Sequence, residues 1–290
     1  MGPGATRQRE CYHPSSMETF LSVGVVLLPL AYLVVAAAYG FSFFSGAASE
    51  RRWATPALLG TLVFHLIYLV VLAYRWHQFP AATVAQALSI IAFAIAGVYA
   101  LVEWLGRDRS TGFWLVGLVF FFQLFSSLLG QTVPPDLARF KIGMIAIHIS
   151  LALLGYTAFA IAAGYAFLFL QLYRDLKGGR FSTFFGKLPP LEALERMMLA
   201  SLVTGFVALS GAVLTGVLFA QREFPAVWHH DPKIIATAAI WLLYGVALAL
   251  HRLRRWQGKQ TAIVALTGLG AILFSLFAVN FFFTDFHGFL

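Results

Sequence analysis

Eight apolar stretches, each long enough to cross a lipid bilayer as a helix, constrain this chain more than anything else in it. A transmembrane helix needs about 20 mainly apolar residues, and the stretches run approximately over 21–44, 55–74, 81–104, 111–130, 142–173, 197–220, 233–251 and 262–284. The breaks between them hold turn and charge signals such as Glu50–Arg51–Arg52, Phe79–Pro80, Arg107–Asp108–Arg109, Pro134–Pro135, Gly178–Gly179 and Pro189–Pro190. Of the 290 residues, 60% are hydrophobic and only 11% charged, whereas a soluble domain carries roughly 25% charged residues. Such a chain cannot cover a globule with polar surface. The expectation is an all-α integral membrane protein, a bundle of eight transmembrane helices. A tail over 1–20 would precede a single transmembrane domain over 21–290, and the tail lacks the basic start and small-residue cleavage site of a signal peptide, so the first span is expected to be retained.

Basic residues set the orientation. The loops after spans one, three, five and seven hold Arg51, Arg52, Arg107, Arg109, Arg174, Lys177, Arg180, Lys187, Arg196, Arg252, Arg254, Arg255 and Lys259, which is 13 of the 20 Lys and Arg; the opposite loops and tails hold the other 7. The positive-inside rule then puts both termini on the outer, periplasmic side of a bacterial inner (plasma) membrane. The net charge of +8 is explained by this topology and points to lipid headgroups as the partner, with no nucleic acid.

The single cysteine, Cys11, excludes an intramolecular disulfide, an iron–sulfur cluster or a Cys-rich zinc site. The chain contains no C-x-x-C-H for covalent haem, no H-E-x-x-H, no G-x-S-x-G elbow and no G-x-x-x-x-G-K-[ST] phosphate loop. Ionisable groups inside spans are costly and usually functional, so the eight histidines are the natural inventory. At about 1.5 Å of rise per residue, His148 at the outer start of span five and His287 just past the outer end of span eight share one depth. Two imidazoles on different helices can act as axial ligands on opposite faces of one haem iron only if they share a depth. His65, near the middle of span two, and His251, at the inner end of span seven, differ by roughly 13 Å along the membrane normal. Zinc is the competing use of clustered imidazoles, but the contiguous His229–His230–Asp231 lacks zinc-ligand spacing. Gly205, Gly211 and Gly216 suit close helix packing. Gln86, Gln123, Thr204 and Asn280 are further polar groups within spans.

The loop after span six reads Trp228–His229–His230–Asp231–Pro232–Lys233, followed by Trp241–Leu242–Leu243–Tyr244. It resembles a degenerate W-x-W-D-P-K signature of the cytochrome c assembly family, the haem-handling membrane proteins of the CcsA and HemX type. His148–Ile149–Ser150–Leu151 with Gly155–Tyr156, Leu170–Gln171–Leu172–Tyr173, Leu188–Pro189–Pro190–Leu191–Glu192 and His251–Arg252–Leu253 agree in order. The resemblance covers residues 55–290, most strongly 148–287. It implies non-covalent haem b held by His148 and His287 as axial ligands, beside Trp228, His230 and Asp231, with Lys233 and Arg222 placed to meet propionates. It also implies an inner haem contact at His251, with His65 as its partner only if span two is shifted.

Departures from the signature bear on activity. The second Trp is replaced by His230, and Ala220–Gln221–Arg222–Glu223–Phe224 stands where an upstream Trp–Gly portion belongs. This thinning argues against an enzymatic synthase role, and the short eight-span form is closer to the HemX type. The expectation is a haem-binding accessory to cytochrome c assembly or haem homeostasis, working with another membrane protein of cytochrome c maturation. The alternative is a HemX-like regulator of a haem-biosynthesis enzyme, acting through cytoplasmic loops such as Arg174–Arg196.

Overall fold

The computed structural model describes residues 16–45, 51–106, 109–130, 142–179, 186–223, 232–253 and 256–282. Among these, eight α-helices follow one another: α1 (Ser16–Ser45), α2 (Arg51–Trp76), α3 (Val84–Gly106), α4 (Gly112–Leu129), α5 (Ile142–Lys177), α6 (Leu191–Glu223), α7 (Pro232–Arg252) and α8 (Gly258–Phe282). Each contains a window apolar enough to cross a membrane. A helix can do so because it satisfies its backbone N–H and C=O groups internally, and the apolar side chains turned outward, such as Val26, Val63, Val70, Val207 and Phe274, find a matching solvent in lipid.

Helix ends follow local chemistry. α4 stops at Gly130, whose φ of 71° lies in the left-handed region open to glycine and whose N–H donates to the Ser127 carbonyl. α5 ends the same way at Gly179, φ 62°. With 36 and 33 residues, α5 and α6 are about 54 and 50 Å long, well beyond a hydrocarbon core of about 30 Å. The surplus carries Arg174 and Lys177 on α5 and Glu192, Glu195 and Arg196 on α6.

Packing divides the helices into two groups of four. α1 packs on α2 and α4, and α3 on α2 and α4; in the second group α5 packs on α6 and α8, and α7 on α6 and α8. α5 also lies against α3 and α4 and so joins the groups. The α5–α6 interface is the most extensive, because glycine lets the backbones approach. A Cβ added at Gly155 would sit 3.3 Å from the Gly205 carbonyl oxygen, and one added at Gly205 would sit 3.2 Å from that of Gly155. Without a hydrophobic driving force between helices in lipid, close packing of this kind is a main source of association. Phe159 of α5 stacks on Tyr244 of α7 with centroids 3.9 Å apart, within one buried core that takes in residues of all eight helices.

Candidate functional site

Three histidines within the helices occupy three different environments. His148 stands in the second turn of α5 and faces α6. Its Nδ1 lies 2.8 Å from the Ala212 carbonyl oxygen. A carbonyl can only accept, so Nδ1 carries the proton and donates, which leaves Nε2 with its lone pair. The ring is half-buried, and among the described residues no protein group is hydrogen-bonded to Nε2. Gly216 provides the space: a Cβ there would lie 2.7 Å from His148 Cε1 and 2.9 Å from Nδ1. Lys233, in the first turn of α7, acts electrostatically on the same imidazole. An imidazole with one nitrogen donated to a backbone carbonyl and the other unprotonated is the form in which histidine binds a metal ion.

His65 is the opposite case. It is fully buried, with Tyr32 Oη 2.9 Å from Nδ1 and Ser89 Oγ 2.9 Å from Nε2. The Ser89 hydroxyl donates onward to Gln123 Oε1 at 3.0 Å. Since that hydroxyl has one proton, it must accept from His65 Nε2–H, and Nδ1 must accept from the Tyr32 hydroxyl. The order of protons is thereby fixed along a chain linking α1, α2, α3 and α4. Phe93, Tyr68 and Tyr32 meet the ring edge to face. The lone pair of His65 is thus used within the protein, and protein side chains enclose the ring. His251 is half-buried at the C-terminal end of α7, with Nδ1 3.2 Å from Thr261 Oγ1 of α8, so it belongs to the second helix group and His65 to the first.

Trp228, His230, Asp231 and His287, with His229, lie outside the described residues. Arg222 is exposed in the last turn of α6. Of the polar groups noted in spans, Gln123 closes the His65 chain, Gln86 Oε1 accepts from the Ala82 N–H at 3.0 Å to cap α3, and Thr204 is exposed. Among the described residues no group of three or more His, Cys, Asp or Glu is placed to hold a metal ion.

A second buried polar centre was not anticipated. Glu103, 4% exposed near the C-terminal end of α3, accepts from Tyr39 Oη of α1 and Thr55 Oγ1 of α2, and its Oε1 lies 2.7 Å from Arg109 Nε. Nearby, Lys187 Nζ donates to the Phe43 and Phe44 carbonyls at 2.6 and 3.0 Å and caps α1. The signal in the sequence was a lone carboxylate three residues before the end of α3, followed by an arginine six residues later. The positive-inside count used that arginine only as a topological marker.

This arrangement defines a class: a polytopic helical membrane protein with an oriented, ligand-competent imidazole near one membrane face. The chain matches the family described as Cytochrome C assembly protein over residues 57–287, most of its length, and it belongs to that family. It is similar to the cytochrome c biogenesis protein CcsA of the red alga Pyropia yezoensis, with 23% identity over 92% of this chain and 94% of the relative. The cytochrome c biogenesis protein CcsA of the cyanobacterium Microcystis aeruginosa is 24% identical over 91% and 95%, and that of the green alga Chlamydomonas reinhardtii is 23% identical over 75% of this chain and 64% of the relative. Coverage near the full length of the first two means that an eight-span length does not set this chain apart from proteins of the CcsA name. A role in cytochrome c assembly follows for this multi-pass membrane protein.

Proposed function

We propose that the protein binds haem b non-covalently at the outer face of a bacterial inner membrane and passes it on during cytochrome c assembly, as a carrier without synthase activity of its own. The observation that supports this reading best is the Nδ1–H···O=C bond between His148 and Ala212, which readies Nε2 for an iron. His148 and His287 would be the axial ligands; Trp228, His230 and Asp231 would line the haem and Lys233 would meet a propionate. Bound there, haem supplies an iron that takes a nitrogen ligand on each face.

The chain's own residues do the rest. The α5–α6 seam fixes the height of His148, and the Ala212 carbonyl holds its proton on Nδ1. Lys233 offers a positive charge on the same side, suited to a carboxylate. The excess of Lys and Arg on alternate loops supports this outward orientation. His251 is a candidate inner contact through its Nε2, while His65 takes no part. Another membrane protein of cytochrome c maturation would receive the haem.

The test is the absorption spectrum of detergent-purified protein, oxidised and dithionite-reduced, with haem b added where it is not retained. Wild type is expected to give a Soret band with sharp low-spin bands on reduction, and His148→Ala with His287→Ala to abolish them. A wild type that neither retains nor takes up haem would overturn the reading.

A further inference from the structure

We infer that Gly216 is a positioning residue for His148: by lacking a side chain it uncovers the Ala212 carbonyl, and this carbonyl decides which imidazole nitrogen is offered outward. The inference rests on the haem reading for its consequence but on the α5–α6 seam for its geometry. Along that seam three contacts succeed one another toward the outer end. Gly155 meets the backbone of Gly205 and Leu209, Leu151 covers Gly211, and His148 covers Gly216. At the first two the glycine serves packing alone. At the third the partner is a polar ring with a bond to make.

In an α-helix the side chain of residue i+4 leans back toward the N-terminus and lies over the turn that holds residue i. A side chain at 216 therefore occupies the flank of the Ala212 carbonyl. With hydrogen alone at 216, that oxygen, besides its place in the α6 ladder, accepts from His148 Nδ1 at 2.8 Å and from Thr215 Oγ1 at 3.1 Å. Thr215 also donates to the Gly211 carbonyl at 2.8 Å, so its claim on Ala212 is the weaker half of a shared bond and the imidazole keeps the carbonyl. A methyl group at 216 would overlap Cε1 and Nδ1. Backbone occupies the α6 side of the seam, so the relief is for the ring to turn about χ1 and χ2, and turning breaks the Nδ1 bond. The imidazole then loses both its fixed tautomer and its fixed direction. Outer partners of this kind typically contribute tenfold to hundredfold in metal affinity.

Two measurements on the full-length protein decide the matter. The first is the 15N spectrum of histidine-labelled, haem-free protein in detergent, with His148 assigned by its loss in His148→Ala. Wild type is expected to show protonated Nδ1 and unprotonated Nε2, and Gly216→Ala a shift toward the other tautomer or a mixture. The second is titration with ferric haem b: Gly216→Ala is expected to weaken binding about tenfold to hundredfold and to convert low-spin to high-spin haem, with low spin restored by added imidazole. Gly211→Ala, which crowds Leu151 in the same seam, is expected to keep the wild-type tautomer and spin state, separating orientation from general damage to packing. Protonated Nε2 in wild type, or a Gly216→Ala protein with unchanged tautomer and haem affinity, would overturn the inference. The wild-type tautomer needs no variant and decides the orientation even if Gly216→Ala does not fold. Absence of His148-dependent haem binding in wild type with Nδ1 protonated would sink the haem reading instead and leave the orienting role of Gly216 standing.

Discussion

His65 and His148 are both imidazoles held within membrane helices by neutral partners, yet they have opposite chemical potential. In α1–α4, His65 spends both nitrogens on protein partners and is sealed among aromatic rings. In α5–α8, His148 spends one on a carbonyl and keeps the other. A buried polar chain with every proton assigned orders helices; a half-satisfied ring at a helix end keeps a nitrogen lone pair in reserve. The first group concentrates its polar side chains in two closed centres, around His65 and Glu103, that tie α1, α2, α3 and α4 to one another. The second is built on glycine approaches and ring stacking, with a reactive group at its rim.

The largest effect expected from testing this contrast is Glu103→Leu. It strips Tyr39, Thr55 and Arg109 of their common acceptor, and loss of one partner of a buried ion pair costs roughly 3–5 kcal/mol. The Arg109 side chain is 32% exposed and water recovers part of that cost, so about 3 kcal/mol is expected in unfolding of the detergent-solubilised protein. His65→Leu comes next, at about 2 kcal/mol for the stranded Tyr32 hydroxyl and the bond that Ser89 no longer accepts, and the haem spectrum is expected to be unchanged. His148→Ala should do the reverse, losing the chromophore for a stability change of under about 1 kcal/mol, since the ring is only half-buried and gives up one hydrogen bond. If His65→Leu bleaches the haem and His148→Ala does not, the contrast drawn between the two groups is inverted. Adding Tyr32→Phe to His65→Leu sharpens it: removing the stranded hydroxyl should recover about 1 kcal/mol, a sign that a purely additive loss of contacts cannot give. The smallest effect is Lys187→Ala, about 0.5 kcal/mol from the lost cap on α1.

The eight spans were legible because lipid demands continuous apolar length, and length survives any arrangement of neighbours. Their faces were not. Residues such as Tyr32, Leu58 and Ala92 are buried while Val34, Leu59 and Val98 are exposed, and both sets are apolar because one side meets protein and the other lipid; a helix hydrophobic all round does not announce its partner. Gln123 therefore looked like an isolated polar residue, and its link through Ser89 to His65 needed three helices brought together. The place of His148 in the opening turns of α5 was readable from the chain. The state of its nitrogens was not, because it depends on a carbonyl 64 residues away. Gly205 and Gly216 looked alike in sequence, and packing confirms the first as a helix contact while giving the second an imidazole for a neighbour.

The length of α5 has a mechanical meaning. This helix has no internal proline to act as a hinge, and it carries His148 near one end and Arg174 and Lys177 at the other. It is a strut about 54 Å long with its bearings on α6 and α8. A tilt of about 5° around its midpoint would carry His148 by about 1.5 Å, a distance of the same order as an iron–nitrogen bond of about 2 Å. A tilt imposed at the Arg174–Lys177 end thus reaches His148 as a displacement of this size through leverage alone, with no change in helical structure.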